Sequence, residues 1–344
     1  MEKKLFDFAI GNPPYQENTQ NKGDRSNPVY NEFMDATYGI ASKVELITPA
    51  RFLFEAGQTP KAWNEKMLKD EHFKVLNYEP NATKVFPNTD IKGGVAITYR
   101  DDSHTFGAIE TFTAFYELNS IIKKVSRIEG KNPRLNTIIA SQGLYRFTNK
   151  LFEDHKEING FLGAGTGNKI VSSIMEKALD VFKNEEFDGC VKLLGRIKGK
   201  REYRYVRREY IIENNYIDTY NLLLPEANNS GHFGEVLTEP IIGEPGTGAA
   251  DTFLSAGQFA TRREPENFSK YLKTKFFRAL LGVKKVTQHC PPKVWELIPI
   301  QNFKDSSDID WSKSIHEIDL QLYKKYGLTD DEIQFIETNV KEMV

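Results

Sequence analysis

Four consecutive residues near the start of the chain, Asn12-Pro13-Pro14-Tyr15, have the types and spacing to do chemistry. Two adjacent prolines fix φ, force the residues before them to be extended and remove two backbone donors. What remains is a stiff turn offering carbonyl acceptors beside the Asn12 amide oxygen, with an aromatic ring next to them. Such a cradle answers a particular problem. The exocyclic amino group of adenine is a poor nucleophile because its lone pair is delocalised into the ring. Two acceptors that receive both amino hydrogens, the Asn12 side-chain oxygen and the Pro13 carbonyl, favour a pyramidal nitrogen whose lone pair faces an electrophile. Positioning and electrostatics do the activation, and no side chain with a shifted pKa is needed. Tyr15 offers a ring on which a base taken out of its duplex stacks. A bare Pro-Pro pair is usually no more than a stiff turn; what sets this one apart is the strand before it.

That strand is read from Phe6-Asp7-Phe8-Ala9-Ile10-Gly11: residues 5–10 form a short, mostly apolar run that suits a buried strand of a parallel sheet. Ligands of open α/β sheets bind beyond the carboxyl ends of the strands, which puts Asn12 to Tyr15 at the active face. Downstream, residues 29–38 and 61–68 have helical spacing, while residues 44–47, 73–78 and 94–99 read as strands. Strands alternating with helices predict an α/β layered sheet over the first 125 or so residues. A helix over 121–128 closes this region, and Gly130-Lys131-Asn132-Pro133 reads as a linker. Beyond it the texture changes to mixed α+β. A helix is expected over 169–182, then short β-type runs around 191, 203–212, 220–224, 236–242 and 253–259, then one amphipathic helix over 266–281. Its Phe/Tyr stripe, residues 268–277, reads as core. A helical tail follows over 315–326 and 329–341, where Thr329 and Glu332 have capping-box spacing. There is no internal repeat and no low-complexity tract.

The 344 residues carry a net charge of −2, which taken alone argues against a nucleic-acid partner. The average hides segregation. Residues 191–210 hold Lys192, Arg196, Lys198, Lys200, Arg201, Arg204, Arg207 and Arg208 against Glu202 and Glu209 only, interleaved with Tyr203, Tyr205 and Tyr210. A second basic segment, 261–290, includes Lys273 and Lys275, and the last forty residues are acidic. Basic clusters with interleaved aromatics suit phosphate contacts, which dominate DNA affinity; a solvated face is the plainer alternative for either segment alone. Cys190 and Cys290 are too few for a disulfide framework, which fits a reducing cytoplasm. No apolar run approaches the roughly 18 residues of a membrane helix. The six histidines show no metal-type spacing, so no metal site is expected.

The stretch FDFAIG followed by Asn12-Pro13-Pro14-Tyr15 resembles the catalytic motif of the gamma-class adenine-N6 DNA methyltransferases of restriction–modification systems. Ile47-Thr48-Pro49-Ala50-Arg51-Phe52 resembles the next strand-to-loop segment of that family. Val85-Phe86-Pro87-Asn88 with the strand over 94–99 resembles the motif in which an aromatic packs on the flipped base, which makes Phe86 the base-stacking candidate. Residues 267–277 and 318–337 are similar to the far C-terminal part of large members with fused target-recognition regions. The likeness is weakest from about 150 to 250, as a segment reading one particular DNA sequence would be. The resemblance implies an α/β fold: a partial Rossmann-like methyltransferase sheet, then an α+β target-recognition domain and a helical C-terminal tail. The corresponding boundaries are 1–130 for the catalytic part, 131–304 for recognition and 305–344 for the tail. It further implies double-stranded DNA as partner, held by Arg196, Lys198, Lys200, Arg201, Arg204, Arg207, Arg208, Lys273 and Lys275, and S-adenosyl-L-methionine as methyl donor.

One departure from the family stands out. The cofactor loop, normally Gly-rich with an upstream acidic residue, precedes the catalytic motif in gamma-class order, and only eleven residues precede Asn12 here. The string FLGAGTG at 161–167 is superficially similar, but no acidic residue and no apolar strand lead into it. No residue is therefore assigned to the cofactor. The expectation is a cofactor-binding half supplied by a partner subunit or a longer polypeptide, with the strand over 5–10 left as an uncovered apolar edge. Asp90-Ile91-Lys92 matches half of a nuclease metal motif, but acidic-x-Lys recurs at Glu2, Glu129 and Asp154 and carries no weight. Two alternatives stay open: a DNA-binding specificity subunit without catalysis of its own, and the same chemistry applied to a glutamine amide or an RNA base.

Overall fold

The computed structural model describes residues 4–17, 27–55, 58–87, 89, 91, 93–163, 165–285 and 287–343. The chain divides into two compact units, Met1–Lys123 and Lys124–Val344. It is mixed α/β throughout. The first unit contains β1 (Phe6–Gly11), α1 (Tyr30–Ile40), β2 (Ala41–Pro49), α2 (Lys61–Lys69), β3 (Phe73–Glu79) and β4 (Val95–Asp101); α3 (Tyr116–Glu129) spans the division.

The four strands form one sheet in the order β1-β2-β4-β3. β1 runs parallel to β2, from Phe6 opposite Ala41 to Gly11 opposite Leu46, and β4 is antiparallel to both β2 and β3. The carboxyl ends of β1, β2 and β3 therefore share one edge of the sheet. On one face, Tyr30, Met34 and Tyr38, each four residues apart along α1, pack against Val44 and Leu46 of β2. Phe52 sits at the centre of this core, its ring 6.1, 5.2 and 6.3 Å from those of Tyr30, Trp63 and Phe73.

The other face corrects the expectation of a buried first strand. Phe6, Phe8 and Ile10 are 55%, 52% and 75% exposed, and β1 pairs only with β2 among the described residues. Alternate residues of a strand share a face, so these three side chains form one apolar row at the sheet edge. The Lys43 ammonium lies 5.9 Å from the Phe8 ring on that face.

In the second unit, α4 (Asn149–Asp154) and α5 (Ser172–Lys177) precede six strands: β5 (Cys190–Ile197), β6 (Lys200–Arg207), β7 (Tyr220–Pro225), β8 (Ile241–Gly243), β9 (Thr247–Ala249) and β10 (Phe253–Phe259). They make two three-stranded sheets, β6-β5-β9 and β10-β7-β8. Leu193 and Leu194 of β5, Val206 of β6, Phe147, Ile174 and Phe182 share one dry core. The helix expected over 169–182 shrinks to α5. Ile170 has the apolar spacing of a helix, but its N–H donates to the Tyr145 carbonyl and its own carbonyl accepts from Asp251 N–H, so extended pairing replaces the first turn.

The helix expected over 266–281 is two: α6 (Arg263–Lys273) and α7 (Lys275–Lys284). Thr274 breaks it. The buried Thr274 hydroxyl accepts from Phe277 N–H, and the buried Asp319 carboxylate accepts from Lys275 and Phe276 N–H at 2.9 Å each. Thr274 caps α7 locally, and the Asp319 bonds cap it from another part of the chain. Asp319 belongs to α8 (Ile315–Tyr326), and α9 (Asp330–Asn339) follows after Gly327 in the left-handed region. Both tail helices carry a full capping box, Ser314 with Glu317 and Thr329 with Glu332. The acidic cluster before α8 does not cap it; Asp310 instead accepts from Ser312. Phe268, Tyr271, Phe276 and Phe277 are fully buried, as a core stripe requires, and Phe276 stacks on Tyr326 at 4.9 Å. Residues 305–344 thus pack within the second unit. Among the described residues no helix is long and apolar enough to cross a membrane.

Candidate active site

The turn Asn12-Pro13-Pro14-Tyr15 leaves the sheet where β1 ends, at the shared carboxyl edge. Its far side is pinned. Val29 N–H donates to the Tyr15 carbonyl at 3.2 Å, Glu17 N–H donates to the Asn27 carbonyl, and Gln16 bridges Pro28. The Tyr15 hydroxyl donates to the Ile47 carbonyl at 3.4 Å, tying the turn to the end of β2. Burial pushes the Tyr15 phenol up to about 12, so the ring stays neutral near pH 7. Asn12 is exposed, and among the described residues neither its side chain nor the Pro13 carbonyl has a hydrogen-bond partner. Among the described residues, two acceptors therefore stand without a partner beside an anchored aromatic ring.

Phe86 meets that ring. The Tyr15 and Phe86 centroids are 6.3 Å apart at 75°, an edge-to-face contact. The loop after β3 carries Phe86: Asn81 caps the short turn Ala82–Lys84 by accepting from Thr83 N–H, and Phe86 N–H donates to the Ala82 carbonyl at 2.8 Å. The chain returns to β4 through Gly94 at φ 77°, where a Cβ would lie 2.3 Å from the Glu79 carbonyl oxygen. Gly94 also accepts from Ala50 N–H, linking the loops that follow β2 and β3.

Sequence reasoning missed a second aromatic group in this unit. Phe54, Tyr78 and Phe112 pack mutually edge-to-face at 5.3 to 5.6 Å. A register shift between Val75 and Asn77 turns Tyr78 out of simple alternation, so the pattern of the sequence gave no sign of it.

The basic residues fall into two sets. Arg204 pairs with Glu202 at 3.0 Å, Arg207 with Glu209 at 3.4 Å, Lys273 with Glu239 at 2.9 Å and Lys275 with Glu337 at 2.6 Å. Arg208 meets both Glu213 and Asp218 at 2.7 Å; their hydrogen bonds hold its guanidinium further above its ordinary pKa and hold both carboxyls down. Arg196, Lys198, Lys200 and Arg201 lie together at the β5–β6 turn, exposed and without an ion pair among the described residues.

The Gly-rich string at 161–167 offers no cofactor loop of the expected kind. Among its described residues it joins a single turn, Lys156–Gly160, to α5 in the second unit, and no strand leads into it. Among its described residues this string therefore does not fit S-adenosyl-L-methionine. Asp90 and Lys92 lie outside the described residues.

Residues 1–86 match the family described as Eco57I restriction-modification methylase. This segment holds Asn12 to Tyr15 and ends at Phe86. A curated relative, an adenine-specific methylase of Mycoplasma pneumoniae (strain ATCC 29342 / M129 / Subtype 1) described as uncharacterized, is 28% identical over 93 residues, 26% of this chain and 22% of that protein. The match thus spans about a fifth of the relative's length. A solved structure, the type IIG restriction endonuclease BpuSI, aligns with 92% of this chain and 48% of its own at 10% identity and a TM-score of 0.30. The first 86 residues are thus similar to a restriction-modification methylase.

Proposed function

We propose that this chain carries the catalytic-motif and target-recognition portions of a site-specific DNA methyltransferase that acts on the exocyclic amino group of adenine in a restriction–modification system. The observation that carries the proposal is the open pair of acceptors, Asn12 Oδ1 and the Pro13 carbonyl, held beside Tyr15 and Phe86 at the carboxyl edge of β1. An adenine taken out of its duplex stacks against these rings, and its two amino hydrogens are received by the two acceptors. The nitrogen becomes pyramidal, with its lone pair turned away from the ring system. Because Tyr15 stays neutral, its part is to hold the base rather than to move a proton.

The methyl donor, S-adenosyl-L-methionine, is assigned to strands outside residues 1–344. The exposed row Phe6, Phe8 and Ile10 favours this assignment, since a further layer or partner subunit laid on it would bury an apolar face that water now meets. Isothermal titration of the chain alone with S-adenosyl-L-methionine should show no binding; tight stoichiometric binding would overturn the assignment.

Methylation is tested by adding a purified cofactor-binding half, or expressing a longer chain, and following labelled methyl transfer to duplex DNA. Asn12→Ala should abolish transfer and leave DNA binding unchanged. Retained transfer sinks the role of Asn12, and a wild-type assembly that binds DNA without methylating it favours a specificity subunit instead.

A further inference from the structure

Four exposed cations without an ion pair among the described residues crowd into six positions, 196–201. β5 and β6 are antiparallel in unbroken register from Cys190 opposite Arg207 to Ile197 opposite Lys200. The connection is the two-residue turn Lys198-Gly199, with φ of 48° and 80°. Positive φ at both central residues is the turn whose twist suits a tight hairpin, and Asn-Gly is its usual sequence. Here a lysine occupies the strained left-handed position that glycine or asparagine fills at less cost.

The next pair sets Arg196 directly opposite Arg201. Like charges in that relation destabilise a sheet, and the contacts each arginine makes are neutral. Arg196 Nε donates to the Gly199 carbonyl, while Arg201 donates to the Glu239 carbonyl and lies over the Phe253 ring. Lower on the same hairpin, Arg204, Arg207 and Arg208 all have carboxylates. The repulsion is thus confined to the tip.

A cleft of about 310 Å³ opens beside the tip, lined in part by Arg196, Arg201, Gln142 and Thr238. Its two carboxylates are already engaged, Glu226 by His289 and Asp251 by Ser172 N–H.

Resting on the DNA reading above, we infer that the β5–β6 hairpin tip is the element that enters the major groove of duplex DNA, with Lys198 and Lys200 on phosphates and Arg196 and Arg201 toward base edges. A two-stranded ribbon fits the roughly 12 Å major groove of B-form DNA, whereas the deep, narrow major groove of A-form RNA does not admit side chains. The polyanion supplies the counter-charge that the fold withholds from these four residues and gives to their neighbours.

The test compares the wild-type chain with Arg196→Gln/Lys198→Asn/Lys200→Gln/Arg201→Gln, in which asparagine keeps the left-handed turn. Affinity for a duplex of about 30 base pairs, enough to span a typical site, is measured across a salt series. The variant should lose on the order of 100-fold at about 0.1 M salt, and its slope of log K against log salt should fall by about 2, for the two phosphate contacts of Lys198 and Lys200. In parallel, an amine-reactive reagent read by mass spectrometry should find Lys198 and Lys200 of the wild type protected by DNA duplex and not by an RNA duplex of equal length. This footprint decides the matter if the variant fails to fold. Wild-type binding with normal salt dependence but no change in the variant, or no protection, overturns the hairpin assignment alone. Equal protection by RNA also overturns it. A wild-type chain that binds no duplex at low salt overturns the DNA reading itself.

Discussion

The two units of this chain treat their apolar strands differently. In the second unit, β5 and β10 turn nearly every large apolar side chain inward, and Leu193, Leu194 and Leu254 are almost wholly inaccessible to water. In the first, β1 lays Phe6, Phe8 and Ile10 in a row against solvent. The contrast separates a body that is satisfied within itself from a sheet whose edge is still available for cover. Asn12 to Tyr15 follow directly on the uncovered strand, and the Arg196–Arg201 cation cluster sits on the satisfied body. On the proposed function, chemistry and recognition would then rest on scaffolds of unlike completeness.

The same type of substitution should therefore behave oppositely in the two units. Phe277→Ala, at a fully buried ring 5.7 Å from Trp295, should cost about 3–5 kcal/mol. Phe8→Ala should cost under about 1 kcal/mol, because that ring is already wet. Urea unfolding reads both, through Trp295 and Trp311 for the second unit and Trp63 for the first; comparable losses would erase the contrast.

Within the first unit, Gly94→Ala should cost about 1–3 kcal/mol, since φ is 77° and the added Cβ meets backbone. Gly39→Ala, with open space in the last turn of α1, should instead stabilise by about 0.4–1 kcal/mol. A smaller effect separates the units by pH. Burial raises the Asp319 carboxyl to about 6 against the two N–H groups it accepts. The folded state then holds a proton that the unfolded chain has released. Second-unit stability should fall as the pH rises from about 4 through about 6, and Asp319→Asn should flatten that slope, followed by thermal melts across the range. Smallest of all, Arg207→Gln should change stability by less than about 0.5 kcal/mol, as its bridge to Glu209 is exposed; a larger loss in the same melts would mean that this end of the hairpin is built differently from its tip.

Legibility in the sequence followed the range of the interactions. Asn12 to Tyr15 could be read because two prolines stiffen a turn whatever surrounds it, and α9 because Thr329 and Glu332 cap it locally. The apolar run of β1 looks the same buried or awaiting cover, so its exposure was expected only through the departure from the family's order and not from the run itself. The break at Thr274, which depends on Asp319, could not be read, nor could the sorting of the cations. Glu202 and Glu209 were visible as neighbours, but Lys273 finds Glu239 and Lys275 finds Glu337 only through the fold. The nearness of Phe86 to Tyr15 followed from family resemblance, whereas the Phe54–Tyr78–Phe112 group had no local signal.

The way the second unit closes on itself has a consequence for its birth on the ribosome. The Lys124 ammonium holds the Glu332 carboxylate, 208 positions away, and the Tyr326 hydroxyl donates to Glu129 across 197. These clasps cannot form until the last residues have emerged, whereas β2, β3 and β4 lie within some sixty residues of one another and can pair early. The sheet of the first unit is thus ready while the second unit is still being made.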